Sequence, residues 1–121
     1  MILFILLILL SACSSKTLTF SGDSDYWSAV LKVTQTNDDY ETQEFKLQFN
    51  GKDINSVGEL TYNIETNAGS FGHSGVKLNK DVFLTGRDES NPINAKVIEG
   101  SEVKVLVEWN DKTETISLSE N

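Results

Sequence analysis

The chain has 121 residues, with 18 acidic and 10 basic side chains for a net charge of −8, and a single cysteine. A chain this acidic does not bind nucleic acid by general electrostatics, and anionic headgroups or polymers repel it. One cysteine allows neither an internal disulfide nor a cysteine metal centre, and the length is that of one domain.

The first thirteen residues read Met-Ile-Leu-Phe-Ile-Leu-Leu-Ile-Leu-Leu-Ser-Ala-Cys. The apolar run over residues 2–10 is too short for a permanent transmembrane helix, which takes about 20 apolar residues. It has the length of a signal-peptide hydrophobic region with small residues at the cleavage point. Leu10-Ser11-Ala12-Cys13 resembles the lipobox of bacterial lipoproteins, an aliphatic residue and two small residues before a cysteine. The resemblance implies cleavage after Ala12 and a diacylglyceryl group with palmitate-type chains on Cys13. The protein would then be anchored to the cell membrane on its extracytoplasmic face without spanning it. Nothing charged except the amino terminus precedes Ser11, whereas such signals open on a basic segment; this is expected if the true start codon lies upstream. The expected organisation is a cleaved signal peptide over 1–12, lipidated cysteine and tether over 13–19, and a folded domain over 20–121.

After the tether, Ser21-Gly22-Asp23-Ser24-Asp25 reads as a turn. Trp27, Ala29, Leu31 and Val33 alternate with polar or exposed positions and predict a half-buried strand. A turn at Asn37-Asp38-Asp39 separates it from a strand with Phe45, Leu47 and Phe49 inward. Asn50-Gly51-Lys52-Asp53 is a turn, and Leu60, Tyr62 and Ile64 mark the next strand. Residues 67–75 read as a glycine-rich loop, 76–78 and 82–85 as short strands, and 86–94 as a polar loop holding Pro92. Residues 95–98 read as a weak strand, and Val103, Val105, Val107 and Trp109 give the clearest alternation. Asn110-Asp111 then turns the chain into a last strand with Ile116 and Leu118 inward.

Seven or eight short alternating strands and no sustained helical period predict an all-β fold, an antiparallel immunoglobulin-like β-sandwich. A small up-and-down β-barrel is the alternative. The two tryptophans fall on inward positions and are expected to meet in one core. The series Phe20-Ser-Gly, Tyr26-Trp27, Phe49-Asn-Gly-Lys52, Val57-x-x-Leu60-x-Tyr62-x-Ile64 and Val105-x-Val107-x-Trp109-Asn-Asp-Lys112-x-Glu114, closing on Leu118, resembles small lipoproteins of Bacillus-type bacteria. That resemblance implies an immunoglobulin-like domain and carries over no catalytic residues.

Chemistry-bearing candidates are few. His73 is the sole histidine and lies among glycines 69, 72 and 75, which suits neither the rigid third-group support of a Ser-His-Asp site nor a zinc site of several His or Cys ligands. Asp23 with Asp25, or Asp38 with Asp39, could at most contribute to a weak calcium site, since calcium takes six to eight oxygen ligands. No metal and no cofactor is therefore expected. Tyr40, Phe71 and Arg87 are the candidate partner contacts, two off-pattern aromatics and a loop cation. The reading is a lipid-anchored, non-enzymatic protein with a binding or structural role at the cell envelope. An accessory or inhibitor subunit of an envelope enzyme or transporter is the alternative, and a hydrolase the least favoured. Expected partners are the membrane through Cys13 and an envelope protein, with no nucleic acid.

Overall fold

The computed structural model describes residues 15–36, 40–90 and 96–121. The lipobox with Cys13, the turn with Asp38 and Asp39, Pro92 and Ala95 lie outside the described residues. Eight strands follow one another: β1 (Lys16–Asp23), β2 (Trp27–Gln35), β3 (Glu41–Phe49), β4 (Leu60–Thr66), β5 (Gly69–Val76), β6 (Phe83–Ser90), β7 (Val103–Trp109) and β8 (Lys112–Glu120). A single 3-10 turn, Ile54–Ser56, lies between β3 and β4, its amino end held by the Asp53 carboxylate accepting from Asn55 N–H. No helix among the described residues is long and apolar enough to cross a membrane.

All ladders are antiparallel, and the strands form one sheet in the order β5-β4-β7-β8-β1-β2-β3-β6. The all-β antiparallel expectation therefore holds, with eight strands. The ladders do not trace an immunoglobulin-like sandwich of two sheets. Two four-stranded wings are joined where Phe20 pairs with Glu120 and Ser21 with Ser119, and the sheet curls until its edge strands, β5 and β6, face each other. The barrel named as the alternative is closer, but it is not a plain up-and-down barrel. β3 lies beside β6, and β4 beside β7, so the β3–β4 connection crosses one end of the barrel and the β6–β7 connection crosses the other.

Several segments differ from the sequence reading. Residues 16–19, read as tether, are the first half of β1, with Lys16 opposite Gln35, and residues 21–23, read as part of a turn, complete that strand; residues 77–78, read as strand, lie in the β5–β6 connection. Residues 69–76 form a strand and not a loop, and β6 runs on to Ser90 because β3 offers it a continuous ladder from Gln48↔Phe83 to Glu41↔Ser90. Both are edge strands, where pairing to a neighbour supplies what weak intrinsic propensity does not. Residues 96–98 are not a strand; they are tied to the barrel end by polar contacts.

The core is built from the inward set of every strand but the glycine-rich β5. Phe20, Trp27, Leu31, Val33, Leu47, Ile64, Val103, Val105, Val107 and Ile116 are fully buried. At the end where β2 begins and β7 stops, Trp27 packs edge-on against Trp109 at 5.3 Å and tilted against Phe49 at 5.1 Å. The two tryptophans thus meet, as the alternation predicted. Tyr26 covers them from outside, 6.4 Å from Phe49 and 6.2 Å from Trp109. The Trp27 Nε1–H finds no acceptor among the described residues, so this cluster rests on ring packing, about 0.5–1.5 kcal/mol per pair beyond the buried area. The β7–β8 hairpin that carries Trp109 turns through Asn110 and Asp111, at φ 45° and 59°, the two left-handed residues of a type I′ turn.

The opposite end is polar. Glu41 is buried, and its carboxylate accepts from Gln35 Nε2 at 2.9 Å, Gln43 Nε2 at 2.9 Å and Val97 N–H at 3.1 Å. Gln35 Nε2 also reaches the Val97 carbonyl at 2.8 Å. Glu41 thereby pins the β6–β7 connection under the barrel.

Trp109→Ala is expected to cost roughly 3–5 kcal/mol of a small domain's total of about 5–15 kcal/mol, read as a fall in the urea midpoint. A near-native midpoint would mean that the ring does not pack as described. Glu41→Ala strands two buried donors, Gln43 Nε2 and Val97 N–H, each worth about 1–3 kcal/mol when left without an acceptor, while Gln35 keeps the Val97 carbonyl. It should destabilise more than Glu41→Gln, which keeps an acceptor oxygen.

Candidate functional site

β5 and β6 are consecutive, run antiparallel across the barrel, and are joined by the short connection of residues 77–82. Consecutive strands so connected usually pair. These do not: among the described residues β5 bonds only β4, and β6 bonds only β3. The turn before β6 helps to keep them apart. Asn79 N–H donates to the Phe83 carbonyl at 2.9 Å, Val82 N–H donates to the Asn79 carbonyl at 3.1 Å, and the Val82 carbonyl accepts from Phe49 N–H at 2.9 Å. This aims β6 at β3. Val82 sits at φ 66°, a region where a β-branched residue is strained.

The gap between the strands is a groove of about 580 Å3 whose walls include Tyr62, His73, Val76, Lys77, Thr85 and Arg87. Tyr62, inward on β4, forms its floor. Its ring stacks on Phe45 at 5.2 Å and meets His73 edge-on at 6.0 Å. The Tyr62 hydroxyl lies where a Cβ on Gly86 would be, 2.4 Å from that position. Gly86 is thus the residue that lets the phenol cross from one wing to the other. Gly72 on β5 is required by a second close approach, since a Cβ there would meet the Tyr62 carbonyl oxygen at 2.0 Å. Burial pushes the Tyr62 phenol above its ordinary pKa, so it remains a neutral hydroxyl through the physiological range.

The three candidate contacts of the sequence reading flank this seam. Arg87 stands on β6 and lines the groove. Tyr40 joins it through Glu89: the Tyr40 hydroxyl donates to Glu89 Oε2 at 2.6 Å, and the Arg87 guanidinium holds Oε1 at 2.7 Å and 2.9 Å. Arg87 also reaches Glu44 at 3.7 Å. Phe71 is on the other side, opposite Ile64 on β5 and half-buried against the core. Tyr62, Gly86 and Lys77 were not singled out by sequence. The available signal was a glycine inside a strand, which marks a close backbone approach, but residues 86–94 read as loop.

The hydrogen bond from Tyr40, then those from Arg87, hold the Glu89 carboxyl below the usual glutamate range, and the same bond raises the Tyr40 phenol. Among the described residues no three His, Cys, Asp or Glu side chains come close enough together to hold a metal ion. His73 is exposed, with the Tyr62 ring as its neighbour. The arrangement offers two free strand edges, an apolar floor and a cationic rim, which suits binding. Comparison with protein-family models, with curated proteins and with solved structures finds no match to the chain.

Gly86→Ala should destabilise the domain by about 1–3 kcal/mol, the usual range for overpacking. Adding Tyr62→Phe should recover part of that loss, because it removes the clashing hydroxyl; additivity of the two changes would show that they do not touch. The Glu89 carboxyl should titrate below an ordinary glutamate by carbon-detected NMR. A lowered folded-state pKa means that its contribution is present above the ordinary glutamate range and lost as pH falls through the lowered value. Tyr40→Phe should move that midpoint upward, and an unmoved midpoint would show that the phenol does not hold the carboxylate in solution.

Proposed function

We propose that the protein is a membrane-anchored lipoprotein on the extracytoplasmic face, with a non-enzymatic binding role at the cell envelope. The observation that carries the reading is Leu10-Ser11-Ala12-Cys13, with the chain's single cysteine directly behind an apolar run of signal-peptide length. A diacylglyceryl group supplies two chains, each methylene contributing about 0.8 kcal/mol in the bilayer, and two chains suffice for stable anchoring. The barrel then needs no apolar surface of its own for attachment.

The fold supports a binding role on the outside of the barrel. Its interior is filled by side chains such as Trp27, Phe20 and Leu31, as in small barrels that hold no ligand. β1 begins at Lys16, so only two residues separate it from Cys13, a reach of roughly 10 Å at 3.3–3.6 Å per residue. The end holding Glu41 and Val97 would face the membrane. The end covered by Tyr26 would face away, with the seam running between them.

Mass spectrometry of the membrane fraction of producing cells tests the anchor. A diacylated amino-terminal Cys13 peptide is expected, and Cys13→Ala should move the protein out of the membrane fraction. An unmodified, soluble wild-type protein would overturn the reading.

A further inference from the structure

We infer that the seam between β5 and β6 is a strand-acceptor site, which takes an extended, acidic segment of a partner polypeptide. The inference rests on the binding role proposed above and names its surface and its partner's chemistry.

The backbone supplies the first argument. β5 reads Gly69-Ser-Phe-Gly-His-Ser-Gly-Val76. It has no charged residue and no proline, the devices that normally blunt an exposed edge. Its outer N–H and C=O groups face the seam without strand partners among the described residues. β6 is of the same length, eight residues, and its free edge faces the same gap. An incoming strand would bond both edges. Because β5 and β6 run antiparallel to each other, it would run antiparallel to one and parallel to the other. The antiparallel ladder is the more stable per residue, and we place it on uncharged β5.

The side chains supply the second argument. In an extended segment alternate side chains point to opposite faces. The inward set would meet Tyr62, Val76 and Leu84, which is apolar. The outward set would pass beside Thr85 and Arg87 and end near Lys77. Among the described residues no carboxylate lines the groove, in a chain of net charge −8. Lys77 has no carboxylate partner among the described residues. Lys32 and Lys46 line the adjoining depression on the outer face of β2, β3 and β6, together with Glu44. Arg87 is already held by Glu89 and Glu44, so Lys77 carries the charge of the groove that a partner would meet. This favours an acidic segment, and it disfavours a second copy of the chain, which the net charge would repel.

The test uses the full-length chain in detergent micelles, with two acetylated eight-residue peptides as probes, one alternating valine and glutamate and one alternating valine and lysine. Amide hydrogen exchange is read residue by residue. The valine–glutamate peptide should slow exchange of β5 amides at least tenfold, and the valine–lysine peptide should leave them unchanged. Lys77→Glu, on an exposed side chain, should weaken the effect at least fivefold without moving the melting temperature; Lys77→Gln is the milder variant if the reversal perturbs folding. No protection of β5 by the valine–glutamate peptide would overturn the proposal, as would equal protection by both peptides. Protection of β5 that rises with protein concentration in the absence of peptide would overturn it in favour of a second copy. None of these failures touches the lipid anchor, which is read separately from the mass of the Cys13 peptide.

Discussion

The hydrogen bonds that β5 and β6 do not make to each other set the character of this fold. Seven antiparallel ladders join eight strands, and an eighth ladder would close the barrel. A closed barrel has no edges and offers nothing for another strand to pair with. Leaving one ladder unmade exposes two edges, and the structure compensates in its interior. The Tyr62 phenol spans the gap from below and rests against the bare Cα of Gly86, so the two wings are held by a side-chain contact where a backbone ladder would otherwise hold them. The edges differ in protection. β6 presents Arg87, Asp88 and Glu89, with Arg87 bound to Glu89, whereas β5 presents glycine and serine. Charge on one edge and none on the other is an asymmetry that a purely structural opening does not require.

Both ends of the barrel are crossed by connections because β4 and β6 are exchanged relative to a simple meander. Each crossing is fixed by different physics. At one end, Val57 of the β3–β4 connection is buried as part of the hydrophobic core, and apolar area does the fixing. At the other, a buried carboxylate gathers two glutamine amides and one backbone N–H. Charge-assisted hydrogen bonds of this sort are directional, so the polar end sets one position for the β6–β7 connection. With a single cysteine the chain has no internal disulfide to hold a long crossing in place.

The alternation of apolar residues made most of this legible. Strands β2, β3, β4, β7 and β8 follow from Trp27 to Val33, Phe45 to Phe49, Leu60 to Ile64, Val103 to Trp109 and Ile116 to Leu118, because each buries one face and each must therefore repeat with period two. The meeting of Trp27 and Trp109 followed from the same argument. The edges were not legible. β5 buries little and so has no pattern to read, and β6 carries a charged outer face that resembles a loop. Whether the strands form one sheet or two was equally hidden. It turns on the short pairing of Phe20 and Ser21 with Glu120 and Ser119, and nothing in period-two patterning says which strand is whose neighbour. The seam lies between the two strands that the pattern missed, so Tyr40, Phe71 and Arg87 could be named individually while the groove they flank could not.

The strands that were hardest to read are those that bury least. A strand is readable when its sequence alone must provide its burial. A strand meant to receive a partner leaves part of that burial, and one side of its hydrogen bonding, to another molecule. β5 demands little burial of its own: Gly72 lies against the Tyr62 carbonyl, Gly69 and Gly75 take positive φ, serines tolerate water, and a single aromatic, Phe71, moors the strand to the core. Its mooring through β4 includes a register shift between Leu60 and Tyr62. Such a bulge turns the strand and increases local twist. The twist falls beside Tyr62, the residue that spans the gap, so the same few residues bend β5 away from β6 and floor the space between them.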